Sequence, residues 1–329
     1  MSEKPYTPPY SVTDAIINWV TKIGEQVGAV TVKNAAAANP RLRRDNHIRS
    51  IHSSLAIENN SLSLEQVTDI INGKRVLGAP QEIREVKNAY EVYARIDDFD
   101  PYNVNHMLKA HKILMDDLTK EAGRFRSGGV GVFAGEQLVH MAPPASVVLE
   151  LIRNLIDWVR RSDAHPLIKS CVFHYEFEFI HPFADGNGRM GRLWQTLLLS
   201  RWKPFFAWLP VETLVRERQQ EYYDVLAIAD KAADRTVFVE FMLRTIHDAL
   251  TELLRTAQVS AQVTAQVENL LNVLGDETLS AVEIMARLGL KHRQSFARLY
   301  IQPALGLGLI EMTVPDKPKS RLQKYRLVR

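Results

Sequence analysis

At residues 181–192 the chain reads His-Pro-Phe-Ala-Asp-Gly-Asn-Gly-Arg-Met-Gly-Arg, with apolar residues on both sides. Charge and glycine at this density make a poor core, so the stretch must form a loop held between buried segments. Glycine lets backbone N–H groups point inward around an anion, and a helix opening behind such a loop adds partial positive charge. Gly186-Asn187-Gly188 ahead of a helix over 189–201 would supply both. Arg189 and Arg192 are three apart, so they share a helical face from which two guanidinium groups reach phosphate oxygens. Asp185 can share a Mg²⁺ ion with those phosphates. His181 is the nearby group able to accept a proton near neutral pH. Together these residues predict metal-assisted attack by a hydroxyl on a nucleotide phosphate.

Around this loop the pattern is mainly α. Helical spacing runs over 11–30, 41–58 (Ile48, Ile51, Leu55 and Glu58), 63–71, 81–97 and 102–118. Between Gly123 and Pro144, glycines interleave with Phe125, Val130, Val132 and Phe133, which reads as a short hairpin. Helices return over 146–161 and 166–179, Pro204 stops the helix after the loop, and two or three more run from 210 to 257. The polar passage Thr256–Gln266 reads as a linker. Beyond it the order is helix (267–274), helix (280–288), the Gly289 turn, helix (292–299 or slightly beyond), then alternating strands over 309–314 and 323–328. A helix-turn-helix followed by a two-stranded wing is the winged-helix order. The expected division is 1–100, 101–257 and 267–329.

The charge is uneven. From Arg287 to Arg329 the chain carries ten Lys and Arg against Glu311 and Asp316, a net of +8, so with +3 for the whole chain the remainder sums to −5. A basic tail raises nucleic acid or another acidic partner. Lys291, Arg293 and Arg298 stand where a recognition helix would place its contacts. With one cysteine, Cys171, no intramolecular disulfide can form, which fits a reducing compartment. Residues 1–10 hold prolines and no apolar run, unlike a secretory signal, and no window approaches the ~20 apolar residues of a membrane span. A soluble cytoplasmic protein without a membrane partner is expected.

The stretch 181–192 resembles the Fic (filamentation induced by cAMP) motif, H-x-F-x-[D/E]-G-N-G-R-x-x-R, at every specified position: His181, Phe183, Asp185, Gly186, Asn187, Gly188, Arg189 and Arg192. The apolar helix before it and the glycine-rich hairpin upstream also resemble the family's layout, over roughly residues 40–250. The winged-helix tail resembles one found on many bacterial members. The resemblance implies a Fic helical core with a hairpin flap (about 123–141), a catalytic loop (181–192), and protein adenylyltransfer, in which a Ser, Thr or Tyr hydroxyl attacks the α-phosphorus of ATP and pyrophosphate leaves. By that resemblance His181 is the general base and Asp185 carries Mg²⁺. Gly186, Asn187 and Gly188 cradle phosphates, Arg189 meets the β-phosphate side and Arg192 the γ-phosphate. The hairpin would align the target segment by strand-like pairing.

The family also contains an inhibitory helix with the pattern [S/T]-x-x-x-E-[G/N], which Ser54-Leu55-Ala56-Ile57-Glu58-Asn59 fits within a helix expected over about 41–59. A carboxylate paired to Arg192 takes the partner that the γ-phosphate needs. The partners implied are ATP and a target presenting a hydroxyl side chain, the chain itself included. DNA through the tail and a homo-oligomer stay open. Two other readings remain beside autoinhibited AMP transfer: a DNA-binding or scaffold protein with a nucleotide-sensing core, and removal of AMP from targets by the same site. His47, His52, His106, His111 and His174 lack metal-ligand spacing and read as structural.

Overall fold

A computed structural model describes residues 6–32, 40–134, 137–318 and 320–328, with the backbone alone for 32, 40, 41, 132–134, 137–140 and 257–264, and the chain divides into two compact units, Met1–Leu253 and Leu254–Arg329.

The first unit is built around two consecutive helices. Pro166–Ile180 and Asn187–Trp202 are buried on nearly every side, the first among Leu167, Cys171, Phe173 and Phe177, the second among Met190, Leu193, Trp194 and Leu197. A helix without a polar face has to be central. The loop 181–186 joins these two helices at the centre of the unit.

In chain order the helices are α1 (Asp14–Val32), α2 (Pro40–Ile57), α3 (Leu64–Ile71), α4 (Pro80–Ala94), α5 (Val104–Leu114), α6 (Val148–Arg161), α7 (Pro166–Ile180), α8 (Asn187–Trp202), α9 (Val211–Glu217), α10 (Gln219–Ala232) and α11 (Thr236–Leu274). Local chemistry sets several ends. Ser63 and Gln66 form a capping box at α3, Asn103 caps α5, and Pro80 and Pro166 open α4 and α7 as first-turn prolines. Between α5 and α6, β1 (Gly131–Ala134) and β2 (Gln137–Met141) pair antiparallel, Gly131 opposite Met141, with a register shift between Val132 and Phe133. Positions 135 and 136 of the expected flap lie outside the described residues.

Several elements differ from the sequence expectation. α5 ends at Leu114 rather than 118, and Asp117 adopts a positive φ of 57° beyond it. α8 begins at Asn187, so Gly188 sits inside its first turn. The passage Thr256–Gln266 is helical, because α11 runs through it to Leu274, and the boundary between the two units falls just before it, at Leu253 and Leu254. Polarity suggested a linker there, but the stretch contains neither Gly nor Pro, and Ala and Gln favour helix.

The second unit comprises the end of α11, β3 (Leu279–Ser280), α12 (Ala281–Arg287), α13 (Arg293–Phe296), a π-helical turn (Ala297–Ile301), α14 (Gln302–Gly306), β4 (Ile310–Met312) and β5 (Lys324–Leu327). β5 lies between β3 and β4, antiparallel to both. The helix expected over 292–299 or slightly beyond runs from Arg293 to Gly306. Pro303 lacks an N–H and its ring would crowd the carbonyl four residues back, and the wider π turn just before it relieves that contact. A separate core, including Leu270, Leu279, Ile284, Phe296, Ile301 and Ile310, fills this unit.

Candidate active site

α7 ends at His181, whose backbone is left-handed (φ 48°, ψ 61°), a conformation that costs a non-glycine residue about 1–2 kcal/mol. Arg126 holds it there. Arg126 is 3% exposed, and its guanidinium donates from Nη2 to Ile180 O (3.2 Å) and Pro143 O (2.5 Å), from Nε to His181 O (2.7 Å) and from Nη1 to Gly128 O (2.8 Å). Its own N–H donates to Pro182 O at 3.0 Å. One buried cation thus satisfies carbonyls left open at the carboxyl end of α7 and ties the hairpin stem to the loop.

The His181 ring donates from Nδ1 to Glu178 O at 3.2 Å. That bond fixes the tautomer with the proton on Nδ1 and leaves the Nε2 lone pair for an incoming proton. Next along the loop, Phe183 is fully buried and stacks on His111 at 3.6 Å with an interplanar angle of 4°. His111 also accepts from Gly123 N at Nδ1 (2.9 Å) and donates from Nε2 to Asp185 O (3.0 Å). Burial lowers the His111 pKa to about 4, so the ring is neutral and can make both bonds.

Asp185 is the exposed acid of the loop, its side chain 60% accessible, and its Oδ1 accepts from Gly186 N (2.5 Å) and from Arg189 Nη2 (3.2 Å). Gly186 opens α8 at φ 82°, and a Cβ there would stand 2.6 Å from Met115 Sδ. Asn187, 2% exposed, does not aim its side chain at an anion. Its Oδ1 accepts from Phe183 N (2.8 Å) and its Nδ2 donates to Phe183 O (2.9 Å), clipping the loop shut and leaving the backbone N–H as its contribution to the helix amino end.

Arg189 is 6% exposed, and its Nε and Nη1 are buried without a hydrogen-bond partner, with Glu85 3.6 Å from Nη1 as an ion-pair neighbour. Unused donors on a buried guanidinium beside a helix amino end make an anion site. Arg192 is occupied instead. Its Nε donates to Ser54 Oγ (3.0 Å), and its Nη2 donates to Ser54 O (3.0 Å) and Glu58 Oε1 (2.7 Å). Burial works against the charge on Arg192, but the Glu58 carboxylate outweighs it and holds the pKa above the ordinary arginine value.

Glu58 reaches this position through the way α2 ends. Asn59 N donates to Ala56 O and Asn60 N to Leu55 O, both at 3.1 Å, with Asn59 at φ 67°. These are the paired bonds of a Schellman cap, in which the residue after the cap must be left-handed, a role Asn fills nearly as well as Gly. Asn59 therefore has a backbone function, and Ser54 and Glu58 make the contacts to Arg192. Glu58 lies directly over the first turn of α8, where a Cβ on Gly188 would collide with its Oε1 and approach Arg192 Nη1 to 3.0 Å.

These groups open on a cavity of about 480 Å³. It is lined by Glu58, His181, Gly188 and Arg192, and by Tyr175, Phe179, Tyr222, Tyr223 and Leu226 of α7 and α10. This aromatic wall was not identified from the sequence, because its members come from helices that read only as core. Gln219 at the start of α10 donates from Nε2 to Ile57 O at 3.1 Å, linking the cavity wall to the end of α2. His174 is buried and bonds Gln195 and Tyr222. The other predicted residues, Lys291, Arg293 and Arg298, are exposed on the second unit.

Two family models match the chain: the Fic/DOC family over residues 99–199, and the C-terminal domain of Fic-like proteins (filamentation induced by cAMP) over 265–328. The chain is 26% identical over 258 residues to protein adenylyltransferase fic-1 of Caenorhabditis elegans, covering 74% of the chain and 47% of that protein. It is 26% identical over 265 residues to protein adenylyltransferase Fic of Aedes aegypti, 76% and 48% of the two. The chain thus spans about half the length of the curated relatives it matches. Among solved structures, a Fic family protein from Desulfovibrio desulfuricans G20 is 55% identical over 98% of both chains, with a TM-score of 0.77. Fic-1 (residues 134–508) of C. elegans, 21% identical, shares the fold with a TM-score of 0.63 over 74% of this chain and 73% of that one.

Proposed function

This chain belongs to the Fic family, and from that premise we propose that it transfers AMP from ATP to a hydroxyl side chain of a protein, and that Glu58 holds the site off. The Nε2 lone pair of His181 takes the proton of the incoming hydroxyl, whose oxygen bonds to the α-phosphorus as the bond to the β-phosphate bridging oxygen breaks and pyrophosphate leaves. The N–H groups of Asn187, Gly188 and Arg189 at the amino end of α8, with the unused donors of Arg189, receive the phosphates. The aromatic wall of the cavity suits a nucleobase.

Asp185 suits a Mg²⁺ ion shared with the phosphates. Its side chain is open to solvent, and among the described residues no cluster of three or more His, Cys, Asp or Glu side chains offers an all-protein cage. Bound there, the ion would neutralise charge on the phosphates. The protein supplies the rest by position, holding His181 with Glu178 O and Arg126, and Asp185 with His111.

One observation carries the autoinhibited form of this reading: the Glu58 carboxylate lies on the first turn of α8 and bonds Arg192, so an anion already occupies the place of a terminal phosphate. A displaced γ-phosphate misplaces the α-phosphorus, and ~1 Å of misplacement costs about 10²-fold in rate. The test is incorporation of label from α-labelled ATP, into the chain itself or a supplied protein. Glu58→Gly is expected to raise incorporation by about 10²-fold, and His181→Ala in that background to abolish it. Equal incorporation by the wild type and Glu58→Gly would refute the brake. Label surviving His181→Ala would refute the base.

A further inference from the structure

The second unit carries none of the groups described above, yet its surface is strongly patterned. From α13 through α14 the inward side contributes Phe296, Ile301 and Ala304 to the core. Lys291, just before α13, and Gln294, Ser295, Arg298 and Gln302, along α13 to α14, are all exposed. Every member of that stripe can hydrogen-bond and none is acidic; no Asp or Glu occurs between Glu283 and Glu311.

Three nearby acids have partners of their own, while Asp316 is exposed on the β4–β5 hairpin beside Lys317. Glu277 takes both Nη atoms of Arg287 (2.8 and 2.9 Å), Glu311 binds Arg326 Nε (2.6 Å), and Glu283 closes the capping box of α12 with Ser280. Exposed cations stand along the stripe and, beside it in sequence, on the β4–β5 hairpin, where Lys317, Arg321 and Lys324 outnumber Asp316 and Lys324 also lies within electrostatic reach of Glu283. An acidic peptide would be served by the cations alone. Gln and Ser among them are the side chains that match base edges, and a helix about 10–12 Å across fills a major groove about 12 Å wide.

We propose that residues 254–329 bind duplex DNA, with the Gln294-Ser295-Arg298-Gln302 stripe in the major groove and Lys317, Arg321 and Lys324 on backbone phosphates. Phosphate neutralisation releases counterions, so affinity falls with salt at a slope of about 0.9 per phosphate contacted. Base contacts carry preference instead, about 1–3 kcal/mol for each good pair, or roughly 5- to 150-fold.

The experiment is fluorescence anisotropy of the full chain with labelled duplex DNA, first random in sequence and then selected for binding, at salt from about 50 to 200 mM. The variant Lys317→Ala/Arg321→Ala/Lys324→Ala is expected to reduce the salt slope by about 2.7, equally on every sequence. Gln294→Ala/Gln302→Ala is expected to keep the slope and lose at least about 5-fold of the preference for the selected sequence. No binding at ~50 mM salt, a slope unmoved by the triple substitution, or displacement of duplex by polyglutamate as effectively as by unlabelled duplex would each overturn the proposal. The last outcome would assign the surface to an acidic protein. Circular dichroism of each variant separates lost contacts from lost structure.

Discussion

His181 and His111 differ in what their surroundings leave free. The His181 ring, which lines the cavity, has one nitrogen committed to Glu178 O, whereas both nitrogens of His111 are used, between Gly123 N and Asp185 O. Because His111 has a pKa of about 4 in the fold against 6.5 when exposed, protonation favours the unfolded chain between those values. Its contribution to stability is complete above about pH 6.5 and is lost as pH falls toward 4, about 3 kcal/mol in all. The unfolding midpoint followed from pH 8 to pH 4 should therefore decline steeply below about 6.5 in the wild type and less steeply in His111→Gln. The variant's profile should keep some slope, since burial also lowers the pKa of His47. Identical profiles for the two proteins would remove His111 from this role.

At the scale of elements, α2 is an unusual helix to bury. Its inward positions include Asn46, Ser50, Ser53 and Ser54 along with Ile48, Ile51 and Leu55, so apolar area alone does not hold it. Its carboxyl end is fixed by named bonds: the cap at Asn59, the ion pair of Glu58 with Arg192, and Gln219 Nε2 on Ile57 O. A single hydrogen bond is worth about 1 kcal/mol, about 5-fold in an equilibrium. Gln219→Ala should accordingly raise AMP incorporation by up to about 5-fold, well short of Glu58→Gly, and add nothing in a Glu58→Gly background. An additive effect in the double variant would mean that Gln219 acts on the nucleotide rather than on the brake.

For the whole molecule, the relevant fact is two cores. The first unit is centred on α7 and α8, and the second is closed by residues of α11–α14 and β3–β5. Ile284 is fully buried in the second core, and its replacement by alanine should cost that unit about 2–5 kcal/mol. Calorimetry of Ile284→Ala should show a transition moved to lower temperature, while AMP incorporation in a Glu58→Gly background is retained at a temperature between the two transitions. Loss of incorporation together with the lowered transition would mean that the cores unfold as one.

What the sequence determined by itself is local or motif-bound. The loop at 181–192, the hairpin between Gly123 and Pro144 and the order of the tail's helices depend on residues a few positions apart, where spacing and turn chemistry act directly. The pattern at 54–59 was legible in the same way, although its physical reason, a left-handed cap that carries Glu58 past the helix end, needed the backbone. Only the tertiary structure decided which distant groups meet: Arg126 with the end of α7, His111 with Asp185, Gln219 with Ile57, and Tyr222 and Tyr223 of α10 with His181 around one cavity. These partners are about 40 to more than 160 positions apart, and no periodicity records a partner at that range. Packing chooses it, by bringing two buried polar groups to the distance at which each satisfies the other.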